Sequence, residues 1–196
     1  VLHLAAETGT GQSMYAVTRY ADVNLMGTAA LLQSLVDGRG RVSRVVVASS
    51  RSVYGEGLYV CAHHGRHAPT ARDAEALAAG RFDPTCPKCQ LPLVPVPTPE
   101  DAPLHPASVY AVTKLAQEQM VMAVAAAVGI GAVALRYQNV YGAGQSLSNP
   151  YTGILSIFSR EMLAGRDVEI FEDGEESRDF VHVLDVARAN VAALEA

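Results

Sequence analysis

The stretch RVVVASS, residues 44–50, decides the fold class of this 196-residue chain. Its β-branched run is typical of a strand that is buried on both faces of a parallel sheet. Other short apolar runs alternate with helical stretches, and they cover residues 1–6, 132–136, 168–171 and 178–183. This alternation predicts an α/β fold with a doubly wound parallel sheet.

The stretch SVYAVTK, residues 108–114, predicts the start of a long helix. Ser108 is a suitable N-cap, helix-forming residues follow as far as residue 128, and Gly129 is a stop signal. Residues four apart share a helix face, so Tyr110 and Lys114 can point into one site. A nearby cation favours the phenolate form of tyrosine. The pair therefore suits proton transfer, although ordinary amphipathic helices also contain Y-x-x-x-K.

Two further helices are predicted from their capping residues. Asp22 is the expected N-cap of a helix that runs to about residue 36, and Asp185 is the expected N-cap of the final helix. A third helix is expected at 156–164.

Polar residues stand where the predicted strands end. Ligands of such sheets bind beyond the carboxyl ends of the strands. Ser49 and Ser50 end the strand at 44–50, and a serine there can offer its hydroxyl to a substrate. Together with Tyr110 and Lys114, this position indicates a catalytic constellation rather than a simple strand cap.

Five further stretches resemble the extended branch of the short-chain dehydrogenase/reductase family, which contains NAD-dependent nucleotide-sugar epimerases and dehydratases. They are HLAA (3–6), DVNLMGTAALL (22–32), SSRSVYGE (49–56), LRYQNVYG (135–142) and EDGEESRDFVHVLDVA (172–187). They occur in the family's order and cover most of the chain outside residues 58–103. The resemblance implies a Rossmann-like fold.

The resemblance also implies a role for each matching residue. Tyr110 would be the general acid/base, Lys114 would lower its pKa and hold the nicotinamide ribose, and Ser50 would bind the reacting sugar hydroxyl. Asn139 and Arg178 would hold the substrate's diphosphate, which suits the bidentate donors of arginine. The residues implied to line the cofactor are Leu4, Ala5, Ala6, Asn24, Ser49, Tyr110, Lys114 and Tyr137.

These roles predict NAD-dependent epimerisation, at C4, of a nucleotide-diphosphate sugar through a transient keto sugar. Family dehydratases carry an Asp-Glu pair directly after the catalytic serine or threonine, where this chain has Arg51 and Ser52. That difference favours an epimerase over a 4,6-dehydratase. The sequence is also compatible with a reductase of the same fold, with NADP in place of NAD, and with a non-catalytic binding scaffold.

The glycine fingerprint of dinucleotide-binding folds is not in its usual place. GTGQSM (9–14) fails at its last position, and GIGAVA (129–134) lies between a helix and a strand. The chain also opens inside an apolar run and stops inside a helical pattern. We therefore expect an N-terminally truncated Rossmann-like domain at residues 1–57 and 104–196, possessing part of a substrate-binding region at about 140–180.

Residues 58–103 form an expected insertion that is rich in proline, histidine and cysteine, with one short helix near 72–80. CAHH (61–64) and CPKC (86–89) give a C-x2-H…C-x2-C pattern, which is typical of tetrahedral structural zinc. The predicted ligands are Cys61, His64, Cys86 and Cys89, with His63 and His67 as alternates. Unliganded thiols in a disordered loop are the other interpretation. The insertion resembles that of some dTDP-L-rhamnose 4-epimerase-like members of the family.

Charge and hydropathy limit the partners. The net charge of −5, without a basic block, argues against nucleic acid or an anionic membrane surface as the partner. We see no export signal, and three cysteines then predict a reducing, cytoplasmic location. The resemblance further implies a homodimer formed through a four-helix bundle that includes the tyrosine helix, where Ala123 and residues 125–127 permit close packing.

Overall fold

The computed structural model describes residues 1–38, 42–70, 72–146, 149 and 153–196. Its strands are β1 (Leu2–His3), β2 (Arg44–Ser50), β3 (Leu58–Cys61), β4 (Gly65–His67), β5 (Val94–Val96), β6 (Gly131–Tyr137), β7 (Asn139–Tyr141) and β8 (Phe180–His182). Its α-helices are α1 (Thr10–Ser13), α2 (Val17–Tyr20), α3 (Gly27–Asp37), α4 (Ala74–Ala78), α5 (Val109–Val128), α6 (Ile154–Leu163) and α7 (Val183–Glu195). A π-helical segment, Ala21–Met26, joins α2 to α3, and a 3₁₀ turn, Arg51–Tyr54, follows β2.

The chain divides into two compact units. The first contains Val1–Arg51, Ser108–Val168 and Arg178–Ala196, and the second contains Ser52–Ala107 and Glu169–Ser177. The second unit thus includes the insertion expected at 58–103, together with a segment that the sequence analysis did not assign to it.

A parallel three-stranded sheet is the centre of the first unit. Its order is β1-β2-β6, and β2 pairs with β6 along its whole length, from Arg44 opposite Gly131 to Ser50 opposite Tyr137. The predicted parallel α/β sheet and the strand at 44–50 are therefore confirmed. The strand expected at residues 168–171 is wrong, since these residues form no strand with any other part of the chain that the structure describes.

Helices cover both faces of this sheet. On one face, Val45 and Val47 pack against Leu32 of α3 and against Val121 and Ala125 of α5. Burial of each such valine contributes roughly 1.5–3 kcal/mol. On the other face α7 packs against β2, and the Arg44 guanidinium donates a hydrogen bond to the carbonyl of Ala193 at 3.4 Å.

The ends of α5 follow the sequence prediction. Ser108 is the N-cap, and its Oγ accepts a hydrogen bond from the Ala111 N–H at 3.1 Å. Gly129 ends the helix in the left-handed conformation, with φ 74°. A residue with a Cβ would be strained in that conformation, so glycine favours the stop.

The two predicted aspartate caps are wrong. Asp22 lies inside the π-helical segment, because the helical stretch already begins at Val17. Asp185 lies in the first turn of α7, whose N-cap is His182; the His182 Nδ1 accepts a hydrogen bond from the Leu184 N–H at 3.3 Å. Both aspartates still place negative charge within a helical stretch, but each stretch begins at another residue.

An antiparallel sheet of three short strands organises the second unit. Its order is β4-β3-β5, with Tyr59 opposite both His67 and Pro95. The sequence analysis saw no strand pattern here because strands of three or four residues are too short to show an alternation. The expected short helix is confirmed as α4, where the Asp73 Oδ1 accepts a hydrogen bond from the Ala76 N–H at 2.7 Å.

No helix in the described part of the chain is long and apolar enough to cross a membrane.

Candidate active site

Ser50 and Tyr110 meet where β2 ends and α5 begins. The first turn of α5 is fixed by two hydroxyls, since the Ser13 Oγ accepts from the Tyr110 N–H at 3.0 Å and Ser108 caps the helix. The Tyr110 ring packs edge-on against the buried ring of Tyr20, with 6.4 Å between ring centroids. In this position the Tyr110 phenol lies beside the Ser50 side chain.

The electrostatic environment of Tyr110 has two opposing components. Burial raises the pKa of the phenol, and the hydrogen bond from Ser50 lowers it. The net pKa lies above the ordinary value of 10.0, so the phenol is protonated at neutral pH. The lowering of this pKa by Lys114, expected from the sequence, stays a prediction.

Lys114 is buried one helical turn beyond Tyr110, with 3% of its surface exposed. Burial lowers the pKa of its ammonium to about 8. Its Nζ donates a hydrogen bond to the Gln117 Oε1 at 2.9 Å. An ammonium carries three N–H donors, and among the described residues only this acceptor is used, so the group fits a ligand that presents hydroxyl oxygens, such as a ribose diol.

A buried polar network supports Lys114. The Gln117 Nε2 donates to the Thr28 Oγ1 at 2.7 Å, and the Thr28 Oγ1 lies 2.8 Å from the His3 Nε2. Burial, and then the charge of Lys114, lower the pKa of His3. The sequence analysis missed Gln117, although its position three residues after Lys114 places both side chains on one face of α5.

Asn24 is fully buried and already bonded within the protein. Its Oδ1 accepts from the Glu7 N–H at 2.8 Å, and its Nδ2 donates to the Thr113 Oγ1 at 2.9 Å and to the Glu7 carbonyl at 3.2 Å. The side chain therefore ties the segment after β1 to α5. Its predicted place beside the cofactor stays a prediction, and these contacts indicate an indirect role in shaping that edge.

Three other residues that are predicted to line the cofactor come directly after β1 in the chain. Leu4 is 53% exposed, Ala5 is exposed and Ala6 is half-buried. These small or apolar side chains at the carboxyl end of a strand leave room for a ligand to approach the backbone.

Ser49 has different surroundings from Ser50. Its Oγ is enclosed beside the Glu118 carboxylate, without a hydrogen bond of good geometry. Glu118 forms a two-point ion pair with Arg136 of β6, at 2.6 Å and 3.1 Å. Although burial opposes it, the hydrogen bonds from Arg136 lower the pKa of Glu118. The structure therefore places the Ser49 hydroxyl inside the first unit.

Tyr137 stands opposite Ser50 in the sheet register. Its hydroxyl donates a hydrogen bond to the Asn190 Oδ1 of α7 at 2.7 Å, and burial raises the pKa of the phenol although this contact opposes the rise. The Tyr137 hydroxyl is thereby tied to α7, and the ring lies beside the Ser50 end of the sheet.

Asn139 and Arg178 lie at the same end of the β7–β8 pair. β7 and β8 are parallel, with Asn139 opposite Phe180, and the Asn139 N–H donates to the Asp179 carbonyl at 3.1 Å. Arg178 directly precedes Asp179 and is exposed. The structure thus brings together the two residues that the sequence assigns to the diphosphate.

A cysteine–histidine cluster lies in the second unit. The ligand atoms of Cys61, His64, Cys86 and Cys89 all lie within 4.8 Å of one another, so the four predicted ligands converge. The Cys61 Sγ is 3.6 Å from both the His64 Nδ1 and the Cys89 Sγ, and the Cys86 Sγ is 3.5 Å from the His64 Nδ1. Of the alternates, the His67 Nε2 lies 3.7 Å from the Cys86 Sγ.

Comparison with known families and proteins gives a consistent result. The profile of the "NAD dependent epimerase/dehydratase family" matches residues 1–196. A dTDP-L-rhamnose 4-epimerase of Burkholderia thailandensis is 42% identical to this chain over 194 residues, which are 99% of the chain and 52% of that protein.

Solved structures of related enzymes have the same fold. The UDP-N-acetylglucosamine 4-epimerase of Methanobrevibacter ruminantium, in complex with UDP-N-acetylmuramic acid, has a TM-score of 0.75 and 28% identity, over 100% of this chain and 51% of that one. The UDP-glucose 4-epimerase of Thermus thermophilus, in complex with NAD, has a TM-score of 0.71 and 27% identity, over 100% and 53%. The chain therefore spans about half the length of the relatives that it matches.

Proposed function

Because the chain belongs to the NAD-dependent epimerase/dehydratase family, we propose that the protein interconverts two C4 epimers of a nucleotide-diphosphate sugar with NAD as its cofactor. The placement of the Ser50 side chain beside the Tyr110 phenol, where β2 ends, is the observation that carries this proposal. Lys114, buried one turn along α5, completes the set of groups that proton transfer requires.

Each of these residues has a step in the proposed reaction. Ser50 binds the C4 hydroxyl of the sugar, and Tyr110 takes the proton from that hydroxyl as general base. Lys114 holds the ribose hydroxyls of the cofactor, and its positive charge stabilises the phenolate against the effect of burial. When bound, NAD supplies the hydride acceptor at the same carbon and later returns the hydride. Tyr110 gives the proton back to the oxygen of the 4-keto sugar once the other face has been presented.

The proposed substrate is a deoxythymidine-diphosphate sugar of the rhamnose type. The 42% identity to a dTDP-L-rhamnose 4-epimerase supports this choice. Asn139 and Arg178 would hold the diphosphate, and the neighbouring placement of their backbones supports a shared role. Arginine can bind two phosphate oxygens at once.

The deciding experiment uses the protein made from its complete coding sequence. The protein is incubated with NAD and, separately, with dTDP-L-rhamnose, UDP-glucose and UDP-N-acetylglucosamine, and the C4 epimer is followed by proton NMR. We expect inversion at C4 without net consumption of NAD, and with dTDP-L-rhamnose as the preferred substrate. A product that has lost water would indicate a dehydratase, and absence of turnover with every sugar would favour a binding scaffold.

Arg51 and Ser52 support the choice of an epimerase over a dehydratase. They stand at the start of the 3₁₀ turn that follows Ser50, where family dehydratases carry an acid pair. Elimination of water needs an additional acid and base, and these two side chains supply neither at neutral pH.

We further propose that the cysteine–histidine cluster holds a structural zinc ion. Zn–S bonds of about 2.3 Å and Zn–N bonds of about 2.0 Å give tetrahedron edges of roughly 3.5–3.8 Å. The separations of 3.6 Å from the Cys61 Sγ to the His64 Nδ1 and the Cys89 Sγ, and of 3.5 Å from the Cys86 Sγ to the His64 Nδ1, fit that geometry, and all four ligand atoms lie within 4.8 Å of one another. Four protein ligands leave no open position. Metal analysis of the purified protein tests this, and less than about half an equivalent of zinc would contradict it.

Location and assembly complete the proposal. A cytoplasmic location agrees with thiol ligands that must stay reduced.

We propose that two copies associate through α5, where Val112 is 50% exposed and Met122 is 44% exposed. Light scattering of the complete protein should give the mass of a dimer, and Met122→Lys should shift it toward the monomer. A monomeric parent protein would contradict the dimer.

A further inference from the structure

Arg72, in the insertion, forms ion pairs with two different parts of the second unit. Its Nη1 lies 2.7 Å and 2.8 Å from the two carboxylate oxygens of Glu172, and its Nε lies 3.4 Å from the Glu56 Oε1. The side chains of all three residues are only 25–27% exposed. We call this group the Arg72 clamp. It joins residues that are 100 positions apart in the chain.

The clamp holds a segment of strongly acidic character. Residues 169–177 read EIFEDGEES, and they belong to the same compact unit as the insertion. Although burial opposes it, Glu172 raises the pKa of Arg72, and Glu56 and Glu176 add to this effect. The guanidinium thus supplies the opposite charge that these carboxylates share.

The backbone of the segment is bent at the point where the clamp holds it. Glu172 adopts a left-handed conformation with φ 57°, which is uncommon for a residue with a Cβ. Such a conformation persists when surrounding contacts impose it, and the two-point bond to Arg72 is such a contact. Arg178 follows Ser177, the last residue of the segment, directly in the chain.

We propose that Arg72 is a positioning residue for the nucleotide sugar. It fixes the segment 169–177 to the insertion, and this segment leads directly in the chain into Arg178, which the proposed function assigns to the diphosphate. The inference rests on the proposed function, because that function assigns Arg178 to the substrate. Arg72 and the two carboxylates that it pairs with belong to the second unit, whereas Tyr110 and Lys114 belong to the first. We therefore expect the loss of Arg72 to weaken substrate binding and to leave the chemical step unchanged.

A double-mutant cycle in the complete protein tests the clamp. We expect Arg72→Met and Glu172→Gln each to raise KM for the nucleotide sugar by about fivefold, with kcat and its pH profile unchanged. The double variant should be no worse than Arg72→Met alone, because Arg72→Met already removes the bond to Glu172. Arg81→Met, at an exposed arginine of the same insertion, is the matched control and should keep the parental KM. A parental KM in Arg72→Met, or additive effects in the double variant, would overturn the inference.

A second readout does not depend on activity. Hydrogen exchange of the complete protein should become faster at the amides of 169–177 in Arg72→Met and stay at the parental rate in Arg81→Met. If the parent turns over no nucleotide sugar, the proposed function fails while this measurement still decides the clamp. Parental exchange at 169–177 in Arg72→Met would refute it.

Discussion

Ser50, at the end of β2, lies beside the phenol of Tyr110, in the first turn of α5, and lowers the pKa of that phenol against the effect of burial. This contact connects two parts of the chain that are 60 positions apart, and the pairing of β2 with β6 keeps the strand end fixed. Ser13 fixes the partner side, because its hydroxyl accepts from the Tyr110 N–H. The phenol of Tyr110 is thus held between the end of β2 and the first turn of α5.

We expect Tyr110→Phe to lower kcat of the complete enzyme by at least about 10²-fold, since general acid–base catalysis contributes 10²–10⁴-fold. The phenyl ring keeps the edge-on packing against Tyr20, so cofactor binding and the unfolding temperature should stay close to those of the parent. Tyr59→Phe, in the insertion, is the matched control. Parental turnover in Tyr110→Phe would remove the assigned role.

Lys114 gives a prediction about stability. Burial lowers the folded-state pKa to about 8 from the ordinary value of 10.5, so the unfolded chain binds more protons between those values. The contribution of Lys114 to the free energy of unfolding is therefore unfavourable below pH 8 and improves as the pH rises toward 10. Between pH 7 and pH 10 the improvement amounts to about 2 kcal/mol.

The measurement compares Lys114 with a neutral side chain. In the protein without cofactor, the free energy of unfolding of the parent minus that of Lys114→Met should increase from pH 7 to pH 10, and turnover by the variant should be lost. Urea unfolding at four pH values gives this difference, and the subtraction removes the titration of the other groups. If the difference between the free energies of unfolding of the parent and of Lys114→Met stays constant with pH, Lys114 is not buried as an ammonium.

The sequence predicted those features that depend on local pattern. RVVVASS needs only its own β-branched run to form a buried strand, and Ser108 and Gly129 bound α5 through their own conformational preferences. Asp22 failed as a cap because the helical stretch already begins at Val17, upstream of it, and Tyr20 within that stretch is fully buried. Local capping preference is weaker than such packing.

Contacts between distant elements could not be predicted in this way. Glu118 stands four residues after Lys114 on one helix face, and this spacing alone favours an ion pair between them. The structure instead pairs Glu118 with Arg136 of β6 and gives Lys114 the amide of Gln117. The choice between the two partners depends on how α5 packs on the sheet, which no local spacing encodes.

The pair of Glu118 and Arg136 has a pH-dependent consequence. The folded-state pKa of Glu118 is lowered, so its contribution to stability is present above its unfolded pKa and is lost as the pH falls through the folded pKa. We expect Glu118→Gln to reduce the free energy of unfolding by about 1 kcal/mol at pH 7. The reduction should shrink as the parent is acidified below about pH 4.

Glu161→Gln is the matched control for this substitution. Glu161 also pairs with arginines, Arg160 and Arg166, but their side chains are 42% and 57% exposed. Solvent screens such pairs, so this variant should lose less stability at pH 7 than Glu118→Gln does. Equal losses in both variants would show that burial of the Glu118 pair makes no difference.

The proposed zinc ion predicts a loss that is confined to one unit. Cys86 is fully buried, and its Sγ lies near both His64 and His67, so Cys86→Ser removes a thiolate from the centre of the cluster. We expect the variant to lose zinc and to expose residues 58–103 to proteolysis, because metal binding supplies much of the folding free energy of so small a sheet. His63→Ala is the control, since that side chain lies outside the convergent group, and it should keep one zinc per chain. Full zinc occupancy in Cys86→Ser, or equal proteolysis in both variants, would contradict the assigned ligand set.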